Sequence, residues 1–405
     1  MTTRDARSTM PEPDSHPEAA GFAVSIVSDP DALDALRAPW TELLAESESG
    51  SPFLTWEWMS TWWRIYGRGH LRIVLVRDPD GRLVGLAPLQ VVWRRVLRLA
   101  RWQAATFVGH GGDVTSEHLD VIVRRGFETV VADAVFDSLH DDPAIAQIDL
   151  QPFRADSLVL PRLQMRWSAL PGVVKRTTVS WCPFVVLPKS RADFVASRSR
   201  NYRKKLGEYE RRMAKGLNPT LRRARTPDDV HGDLDGLMRL HQARWGQASR
   251  AFRSEAYRRF HAAFASLMLE AGALRLFTLE SEGQALAAIY CLQYGRRYYY
   301  YQAGREPARA DARVGLVLMN RVLQEAIDDG ATVFDFLSGR EPYKYRWAAD
   351  EFTNDRLAVW RSRRVHLQAE LGRMVVRLRS IPRRLRRVMA RAPAAVTGQR
   401  HRTDG

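Results

Sequence analysis

Residues 332–347 read TVFDFLSGREPYKYRW, an apolar run that passes directly into a polar and aromatic segment. Thr332 to Leu337 is predicted to be a β-strand because the run is short, apolar and bounded by polar residues. Polar side chains that follow a buried strand are well placed to form a site at the edge of a sheet. The segment from Gly339 to Trp347 is therefore the first candidate for chemistry.

The elements predicted around this segment occur in a similar order twice. In the C-terminal part, strands 274–280, 285–294 and 297–302 precede a helix at 315–329 and the strand at 332–337. In the N-terminal part, strands 22–27, 71–76 and 83–92 precede a helix at 128–139 and a strand at 145–150. A long basic helix is predicted over 192–215, and the aromatic residues of 51–66 recur at helical spacing, which indicates a buried helix face. These patterns predict an α/β protein of two related halves that divide near Pro188.

Composition restricts the class of protein. The chain has 405 residues, 45% of them hydrophobic, which is enough for two or three domains. No apolar run approaches the ~20 residues of a membrane span, and the polar residues 1–20 are predicted to be a disordered lead without the pattern of a secretory signal. The two cysteines, Cys182 and Cys291, are too few for a disulfide framework, so a cytoplasmic setting fits.

The net charge of +16 is carried mainly by arginine. Such an excess favours anionic partners, which include nucleic acid, a lipid surface and phosphate-bearing ligands. The alternative is a coding bias towards arginine, and it explains scattered arginines better than clustered ones.

Three stretches resemble one known family, the CelD-like acetyltransferases of the GNAT superfamily, which are related to the FemAB-type transferases. They are Trp56-Glu57-Trp58 with Trp62-Trp63, Tyr298 to Gln302, and above all Asp335 to Trp347; Ser197 to Lys204 is also similar. The resemblance covers about residues 22–360. It implies a double-GNAT fold, with halves at 21–188 and 189–360. The chain that follows, at 361–405, is predicted from its composition to be a basic helical tail. The resemblance also implies acyl transfer, usually of acetyl, from a CoA thioester to an amine or hydroxyl of a sugar, nucleotide-sugar or cell-envelope precursor.

The expected donor-binding loop departs from the usual GNAT pattern. GNAT enzymes cradle the CoA pyrophosphate with a glycine-bearing loop that opens a helix, where free N–H groups face the phosphates. Here Arg309 to Gly315 holds a single glycine. Arg313, Gly315 and Leu316 are the predicted donor-binding residues. Because FemAB-type relatives use aminoacyl-tRNA, the class of donor stays open.

The resemblance also assigns candidate catalytic residues. Acyl transfer needs a base for the nucleophile, a stabilised oxyanion and a proton for the leaving group. Lys344 is expected to stabilise the oxyanion, as an equivalent lysine does in FemAB-type relatives, with Glu341 as base and Tyr343 as acid. The alternative is that Tyr343 is a core residue while Glu341 and Lys344 form a surface ion pair.

Further residues are candidates for binding substrate. Tyr298 to Tyr301 alternate between the two faces of a strand, and Tyr301 and Gln302 are expected to line a cleft. Asp335 is either a site residue or the partner of a basic group. On the basic helix, Arg200, Arg203 and Lys204 are candidates for phosphate contact, although such a charge run is usually a solvated face.

The sequence offers little sign of other chemistry. No His, Cys and Asp set has metal-ligand spacing, so no metal is predicted. His110 and His118 bracket a glycine-rich segment that is interpreted as a plain turn, and no nucleophile elbow is present. Three function classes remain: a CoA-dependent acyltransferase, an aminoacyl-tRNA-dependent transferase, and a non-catalytic protein that binds nucleic acid or membrane.

The tail combines positive charge with an apolar stripe. Between Arg361 and Arg391 only Glu370 opposes the arginines, and Leu367, Leu371, Met374 and Leu378 recur at helical spacing. This combination is typical of a helix that lies at an anionic membrane surface, and Pro382 is expected to break it. The alternative is that the stripe packs on the body of the enzyme.

Overall fold

A computed structural model describes residues 21–96, 100–246, 249, 251–309 and 312–380, with side chains up to residue 375. The predicted lead at 1–20 and the tail beyond 380, with Pro382, lie outside the described residues. The described strands are β1 (Ala23–Val27), β2 (His70–Arg77), β3 (Leu83–Val96), β4 (Ala100–Phe107), β5 (Ile122–Val123), β6 (Ile145–Arg154), β7 (Val173–Val186), β8 (Thr220–Arg223), β9 (Leu274–Ser281), β10 (Gln284–Tyr294), β11 (Arg297–Arg305), β12 (Val333–Asp335) and β13 (Asp350–Trp360).

These strands form one mixed sheet in the order β1-β2-β3-β4-β6-β13-β7-β12-β11-β10-β9-β8, with β5 pairing beside β3. The order repeats about its centre. In each half four strands run antiparallel, and the fourth then pairs in parallel with the next, β4 with β6 and β11 with β12. The closing strand of each half sits beside the other half, because β7 pairs with β12 and β13 pairs with β6. The predicted mixed α/β fold is confirmed, and the repeated order supports two GNAT-like halves.

The helices cover both faces of the sheet. They are α1 (Arg37–Ala45), α2 (Trp56–Tyr66), α3 (Glu128–His140), α4 (Leu160–Ser168), α5 (Arg191–Ala196), α6 (Arg200–Leu217), α7 (Pro227–Trp245), α8 (Glu255–Glu270), α9 (Val314–Asp328) and α10 (Arg363–Ser380). None of the described helices is both long and apolar enough to cross a membrane.

Of two helical predictions, one agrees with the structure and one differs from it. The aromatic face of 51–66 is buried as expected, with Trp58 fully enclosed. The long basic helix predicted over 192–215 is two helices, because α5 ends at Ala196 and the side chain of Ser199 caps a new helix by accepting from the N–H of Tyr202. The break aims Tyr202 at Trp347, with ring centroids 5.5 Å apart.

The boundary predicted near Pro188 follows directly after β7. That strand belongs to the N-terminal half by sequence but lies between β12 and β13 in the sheet. A cut at Pro188 would therefore remove a central strand from the C-terminal half. The division into two halves stays a prediction, and the exchange of closing strands shows that the halves share one sheet.

Candidate active site

The site begins where two parallel strands separate. β11 and β12 pair over only three positions, the last of them Tyr299 with Asp335. β12 then ends, while β11 continues to Arg305 in contact with β10 alone among the described strands. The edge of β11 beyond Tyr299 is therefore free of a strand partner. An opening therefore lies between β11 and the segment that follows β12, beside the start of α9.

A cleft of about 230 Å³ fills this opening. We call it the first cleft; its lining includes Arg244, Ala287, Tyr300, Gly304, Arg305, Arg313, Gly315, Leu316, Met319, Tyr343, Arg346 and Trp347. The three residues predicted to bind the donor, Arg313, Gly315 and Leu316, all lie in this lining. The structure thus brings the start of α9 and the segment after β12 to the same cleft.

Four arginines surround the first cleft: Arg244, Arg305, Arg313 and Arg346. None of them forms an ion pair with a carboxylate among the described residues. Burial lowers the pKa of Arg305, and the nearby Arg244 and Arg313 lower it further. Such a concentration of uncompensated positive charge is stabilised by an anionic ligand. The sequence pattern pointed to Arg313, but it gave no sign of the other three.

The start of α9 adds to this positive potential. Its N-cap residue Arg313 has a left-handed backbone with φ +54°, and its side chain caps nothing. By contrast, Ser or Thr side chains cap α2, α5, α6, α7 and α8. An uncapped helix N-terminus presents free N–H groups and the positive end of the helix dipole. In α9 these groups lie beside the first cleft.

Two tyrosine hydroxyls form the inner part of the first cleft. Burial raises the pKa values of Tyr300 and Tyr343, whose side chains also interact with each other. Both phenols are therefore protonated at neutral pH and can donate a proton or a hydrogen bond. Tyr343, the predicted acid, is thus placed in the cleft, and Tyr300 is a candidate that the sequence analysis assigned to neither face.

The contacts of Lys344 differ from those that the predicted role in stabilising an oxyanion would require. Its side chain is buried, and Nζ donates to the carbonyl oxygens of Leu337, at 3.2 Å, and Ser338, at 2.6 Å. The Oε2 atom of Glu341 lies 3.1 Å from the same nitrogen. These acceptors occupy all three donors of the ammonium. In this arrangement Lys344 holds the turn after β12, while Glu341 is half exposed and pairs with it.

The remaining candidates lie in three different places. Tyr301 points away from the first cleft into an aromatic cluster with Trp58 and His261, and its hydroxyl accepts from the N–H of Thr115 at 3.3 Å. Gln302 donates to the hydroxyl of Tyr257. Neither residue lines the first cleft, because Tyr301 faces Trp58 of the N-terminal half and the side chain of Gln302 turns to α8. Arg200, Arg203 and Lys204 are exposed on α6 and outside the lining of the first cleft.

Asp335 is fully buried and contacts a basic group. Its Oδ2 lies 3.0 Å from Nε2 of His118, and Nδ1 of that ring lies 2.9 Å from Oδ1 of Asn354. Both ring nitrogens therefore face acceptors, which favours the charged imidazolium. Burial alone would lower the pKa of His118, but the charges of Asp335 and Glu117 outweigh it and the pKa is raised. The structure supports the alternative that Asp335 is a partner of a basic group.

Glu117 completes this buried cluster. Its Oε2 accepts from Nδ2 of Asn354 at 2.8 Å and from Oγ of Ser180 at 3.0 Å. Burial raises the pKa of the Glu117 carboxyl, while His118 and Ser180 oppose the shift. The glycine-rich turn that the sequence analysis passed over thus ends in two charged residues. Their partners Ser180, Asp335 and Asn354 are so distant in the chain that no spacing could have indicated them.

The same cluster contains three potential metal ligands. Donor atoms of His118, Cys182 and Asp335 lie within 4.8 Å of one another. A metal held between His118 and Asp335 would have to displace the hydrogen bond that joins Nε2 of His118 to Oδ2 of Asp335. It would also need a thiolate, whereas burial raises the pKa of Cys182 and keeps the thiol protonated. The observed contacts therefore suit a hydrogen-bonded cluster better than a metal centre.

A second cleft, of about 290 Å³, opens beside Glu117. It lies between the turn that begins at Gly109 and strand β7, and its lining comprises Gly109, His110, Gly111, Val114, Thr115, Ser116, Glu117, Gln151, Pro152, Val179, Ser180 and Ser338. Ser338 belongs to the segment after β12. That segment therefore borders both clefts, with Ser338 at the second and Tyr343 at the first.

Comparison with known proteins identifies the part of the chain that holds the first cleft. Residues 197–345 match a family model described as an acetyltransferase (GNAT) domain. The chain contains a GNAT acetyltransferase domain. It is accordingly a transferase, as predicted. The narrower resemblance to the CelD-like enzymes stays a prediction, and no curated protein matches this chain in sequence.

Solved structures share the fold over both halves. The crystal structure of FemX is similar with a TM-score of 0.56 and 12% identity, over 84% of this chain and 98% of that one. A conserved protein of unknown function from Bacteroides thetaiotaomicron VPI-5482 is similar with a TM-score of 0.51 and 11% identity, over 84% and 100% of the two chains. At such low identity the similarity establishes the fold and leaves the substrate open.

Proposed function

We propose that the chain transfers an acetyl group from a CoA thioester to an amine or hydroxyl of a sugar, nucleotide-sugar or cell-envelope precursor. The observation that carries the proposal is the first cleft, where four arginines without a described carboxylate partner surround an uncapped helix N-terminus. Phosphates are the ligands that such a combination recognises best. The cleft also lies at the fork of β11 and β12, so an anion held there directs its acyl arm towards the buried strand ends.

The residues of the first cleft have different roles in the proposed reaction. Arg305 and Arg313, with the N–H groups of Val314 and Gly315, hold the phosphates. The free backbone edge of β11 beyond Tyr299 offers donors for the amides and the thioester carbonyl of an extended arm. Tyr343, supported by Tyr300, supplies the proton that the departing sulfur needs. No described lysine or arginine has to leave an ion pair before the donor binds.

The donor assignment has a direct test. Acetyl-CoA should bind the full chain in isothermal titration calorimetry, and Gly315→Asp should weaken it by about tenfold or more, because ~1.4 kcal/mol of charge repulsion at the phosphate site corresponds to that factor. The control is Gly232→Asp, which places the same change on an exposed face of α7. Binding that is absent, or equal in all three proteins, would contradict a CoA site at the start of α9.

The second candidate function, transfer from aminoacyl-tRNA, makes a different prediction. Here the net charge of +16 and the exposed basic face of α6 would bind the nucleic acid. An electrophoretic mobility shift with aminoacyl-tRNA distinguishes the two. Retarded tRNA together with no calorimetric signal for acetyl-CoA would favour the second candidate, and the reverse result would favour the first.

We also propose that α10 docks the enzyme on anionic membrane surfaces. The side chains of Leu367, Leu371 and Met374 are more than half exposed and lie on one side of the helix. Beside this stripe the helix attaches to the body, where Glu370 pairs with Lys175 at 3.3 Å and His366 stacks edge-on against Trp360. The exposure of these three residues supports docking over the alternative that the stripe packs on the enzyme. Arg363 and Arg364 are exposed beside them, which suits a peripheral contact with anionic lipid.

A further inference from the structure

The two clefts lie on opposite faces of the sheet at the same fork. Tyr300 reaches the first cleft from one face of β11, whereas its neighbour Tyr299 faces the other side, with its ring centroid 6.4 Å from that of His118. Tyr299 pairs in register with Asp335, the residue that holds His118. The end of the first cleft and the Glu117 cluster therefore meet across the point where β11 and β12 part.

The charge of the second cleft differs from that of the first. Its described lining contains one carboxylate, Glu117, together with serine and threonine hydroxyls and neutral backbone, and it contains no lysine or arginine. His110, at the rim, has its pKa lowered by burial and is therefore neutral. A phosphate or carboxylate would meet no compensating charge here. An uncharged polar group needs no compensating charge, and an amine would find the Glu117 carboxylate in the lining.

The Glu117 carboxylate is fixed as well as buried. Asn354 and Ser180 donate to the same oxygen, and Asn354 is in turn oriented by His118, which is held by Asp335. Residues from three different parts of the chain thus set the direction of one carboxylate at a cleft wall. Preorganised groups of this kind are a feature of proton-transfer sites.

Backbone geometry marks the same place. His118 and Leu337 have positive φ angles of +52° and +55°, although neither is glycine. Non-glycine residues in this region are strained and persist where the surroundings determine them, often at functional sites. His118 follows Glu117, and Leu337 precedes Ser338, so the two strained residues flank the wall of the second cleft.

We propose that the second cleft admits the acceptor, a primary amine, and that Glu117 is the general base that removes its proton. The inference rests on the proposed acyl transfer from a CoA thioester in the first cleft. His118, Asn354, Ser180 and Asp335 act as positioning residues for the carboxylate. Donor and acceptor then approach from opposite faces of the sheet and meet at the fork.

The step balances with these groups alone. The nitrogen of the neutral amine attacks the thioester carbonyl carbon and forms the C–N bond. Glu117 takes a proton from that nitrogen as the tetrahedral intermediate develops. The C–S bond then breaks, and the sulfur takes a proton from the Tyr343 hydroxyl. Solvent returns a proton to Tyr343 and removes the proton held by Glu117. The products are an amide and the free thiol of CoA.

The first test replaces the base and keeps its hydrogen bonds with Ser180 and Asn354. In Glu117→Gln the amide oxygen can still accept from Ser180 and Asn354. Release of CoA from acetyl-CoA is followed with a thiol reagent in the presence of glucosamine or ethanolamine, with glucose and ethylene glycol as hydroxyl counterparts. We expect the amines alone to accelerate release, and Glu117→Gln to lower that rate by about 100-fold, the usual contribution of a general base. Its affinity for acetyl-CoA should equal that of the parent.

A second pair of variants tests the cleft without touching the cluster. Val179 lies in the lining of the second cleft and is 38% exposed, whereas Val186 on the same strand is 68% exposed and outside it. Val179→Trp should raise the KM for the amine by about tenfold or more, which corresponds to ~1.4 kcal/mol of lost binding. Val186→Trp should leave it unchanged, and both should melt like the parent protein.

The outcomes separate this inference from the proposed function. Acetyl-CoA that fails to bind the parent protein overturns both. If acetyl-CoA binds, but Glu117→Gln and Val179→Trp leave the amine-dependent rate of CoA release unchanged, only the assignment of the second cleft is overturned. Acceleration by the hydroxyl compounds alone, or by none of the four probes, overturns the amine as acceptor.

Discussion

The Nε2 atom of His118 lies 3.0 Å from Oδ2 of Asp335, and both side chains are buried. This contact joins a turn of the N-terminal half to the last residue of β12 in the C-terminal half. It connects two positions that are 217 residues apart in the chain. Five predictions follow from this contact and from the clefts and the helix around it.

Removing one side chain of the His118–Asp335 pair should lower the free energy of unfolding more than removing both side chains. His118→Asn, which tolerates the left-handed backbone, leaves the Asp335 carboxylate buried and unpaired, so we expect a loss of about 3 kcal/mol in the free energy of unfolding. The double variant His118→Asn, Asp335→Asn should recover part of that loss. Urea unfolding of the two single variants and the double measures the coupling. Strictly additive effects would mean that the pair does not interact.

The arginines of the first cleft should act on donor affinity. Arg305→Gln and Arg313→Gln should each weaken acetyl-CoA binding by about tenfold or more, since a hydrogen bond to a charged group contributes ~1.5–3 kcal/mol. The effect should shrink at high salt because phosphate contacts are partly screened. Arg212→Gln, an exposed change on α6, is the control of equal charge. Unaltered affinity in the first two variants would remove these residues from the donor site.

Experiment can distinguish a structural role of Lys344 from a role in stabilising the oxyanion. Because Nζ donates hydrogen bonds to the carbonyl oxygens of Leu337 and Ser338, Lys344→Met should leave these buried acceptors unsatisfied. We expect the free energy of unfolding to fall by about 2 kcal/mol. Thermal and urea unfolding, run beside the acetyl-transfer rate, provide the measurement. A variant of normal stability whose rate has fallen about 100-fold would instead restore the predicted oxyanion role.

Membrane docking depends on the exposed stripe of α10. The full chain should float with phosphatidylglycerol vesicles at low salt and not with phosphatidylcholine vesicles, since each arginine near an anionic surface contributes about 1 kcal/mol. Changing Leu367, Leu371 and Met374 to Ser should abolish flotation. Leu158→Ser with Met165→Ser removes comparably exposed apolar groups elsewhere and should have no effect. Equal flotation of all forms, or of none, would contradict docking through α10.

Chelation should leave the enzyme unaffected. The Nε2 atom of His118 is already hydrogen-bonded to Asp335, and burial raises the pKa of the Cys182 thiol, so a metal would have to replace contacts that the cluster has formed. Acetyl transfer and melting temperature should be the same before and after treatment with a strong chelator. Stoichiometric zinc in the purified protein, lost together with activity on chelation, would show that the cluster is a metal centre.

The sequence predicted the parts of the site that are continuous in the chain. Residues 332–347 indicated a strand followed by a functional segment, and Arg313, Gly315 and Leu316 indicated the start of α9, because strand ends and helix starts leave local signals. The Glu117 cluster left none. The exchange of closing strands brings side chains of β7, β12 and β13 to the turn before β5 that carries Glu117 and His118. A residue such as Asn354 carries no local sequence signal of the partner that it contacts.

The faces of β11 show the same limit on a smaller scale. Alternation of Tyr298 to Tyr301 was evident from the sequence, but which pair would line a cleft was not. That choice depends on which face the N-terminal half covers, and Tyr301 is covered by Trp58 from that half. Burial of one polar strand residue was thus decided by an element more than 200 residues away in the chain.

The placement of β13 between β6 and β7 also sets the order of events during synthesis. β13 is made after every other strand described, yet it occupies the centre of the sheet and contributes Asn354 to the Glu117 cluster. Until residue 360 has left the ribosome, β6 and β7 face an empty position. The nascent chain therefore cannot hold an aligned Glu117 before that point, and activity is expected to begin only after β13 has emerged and paired.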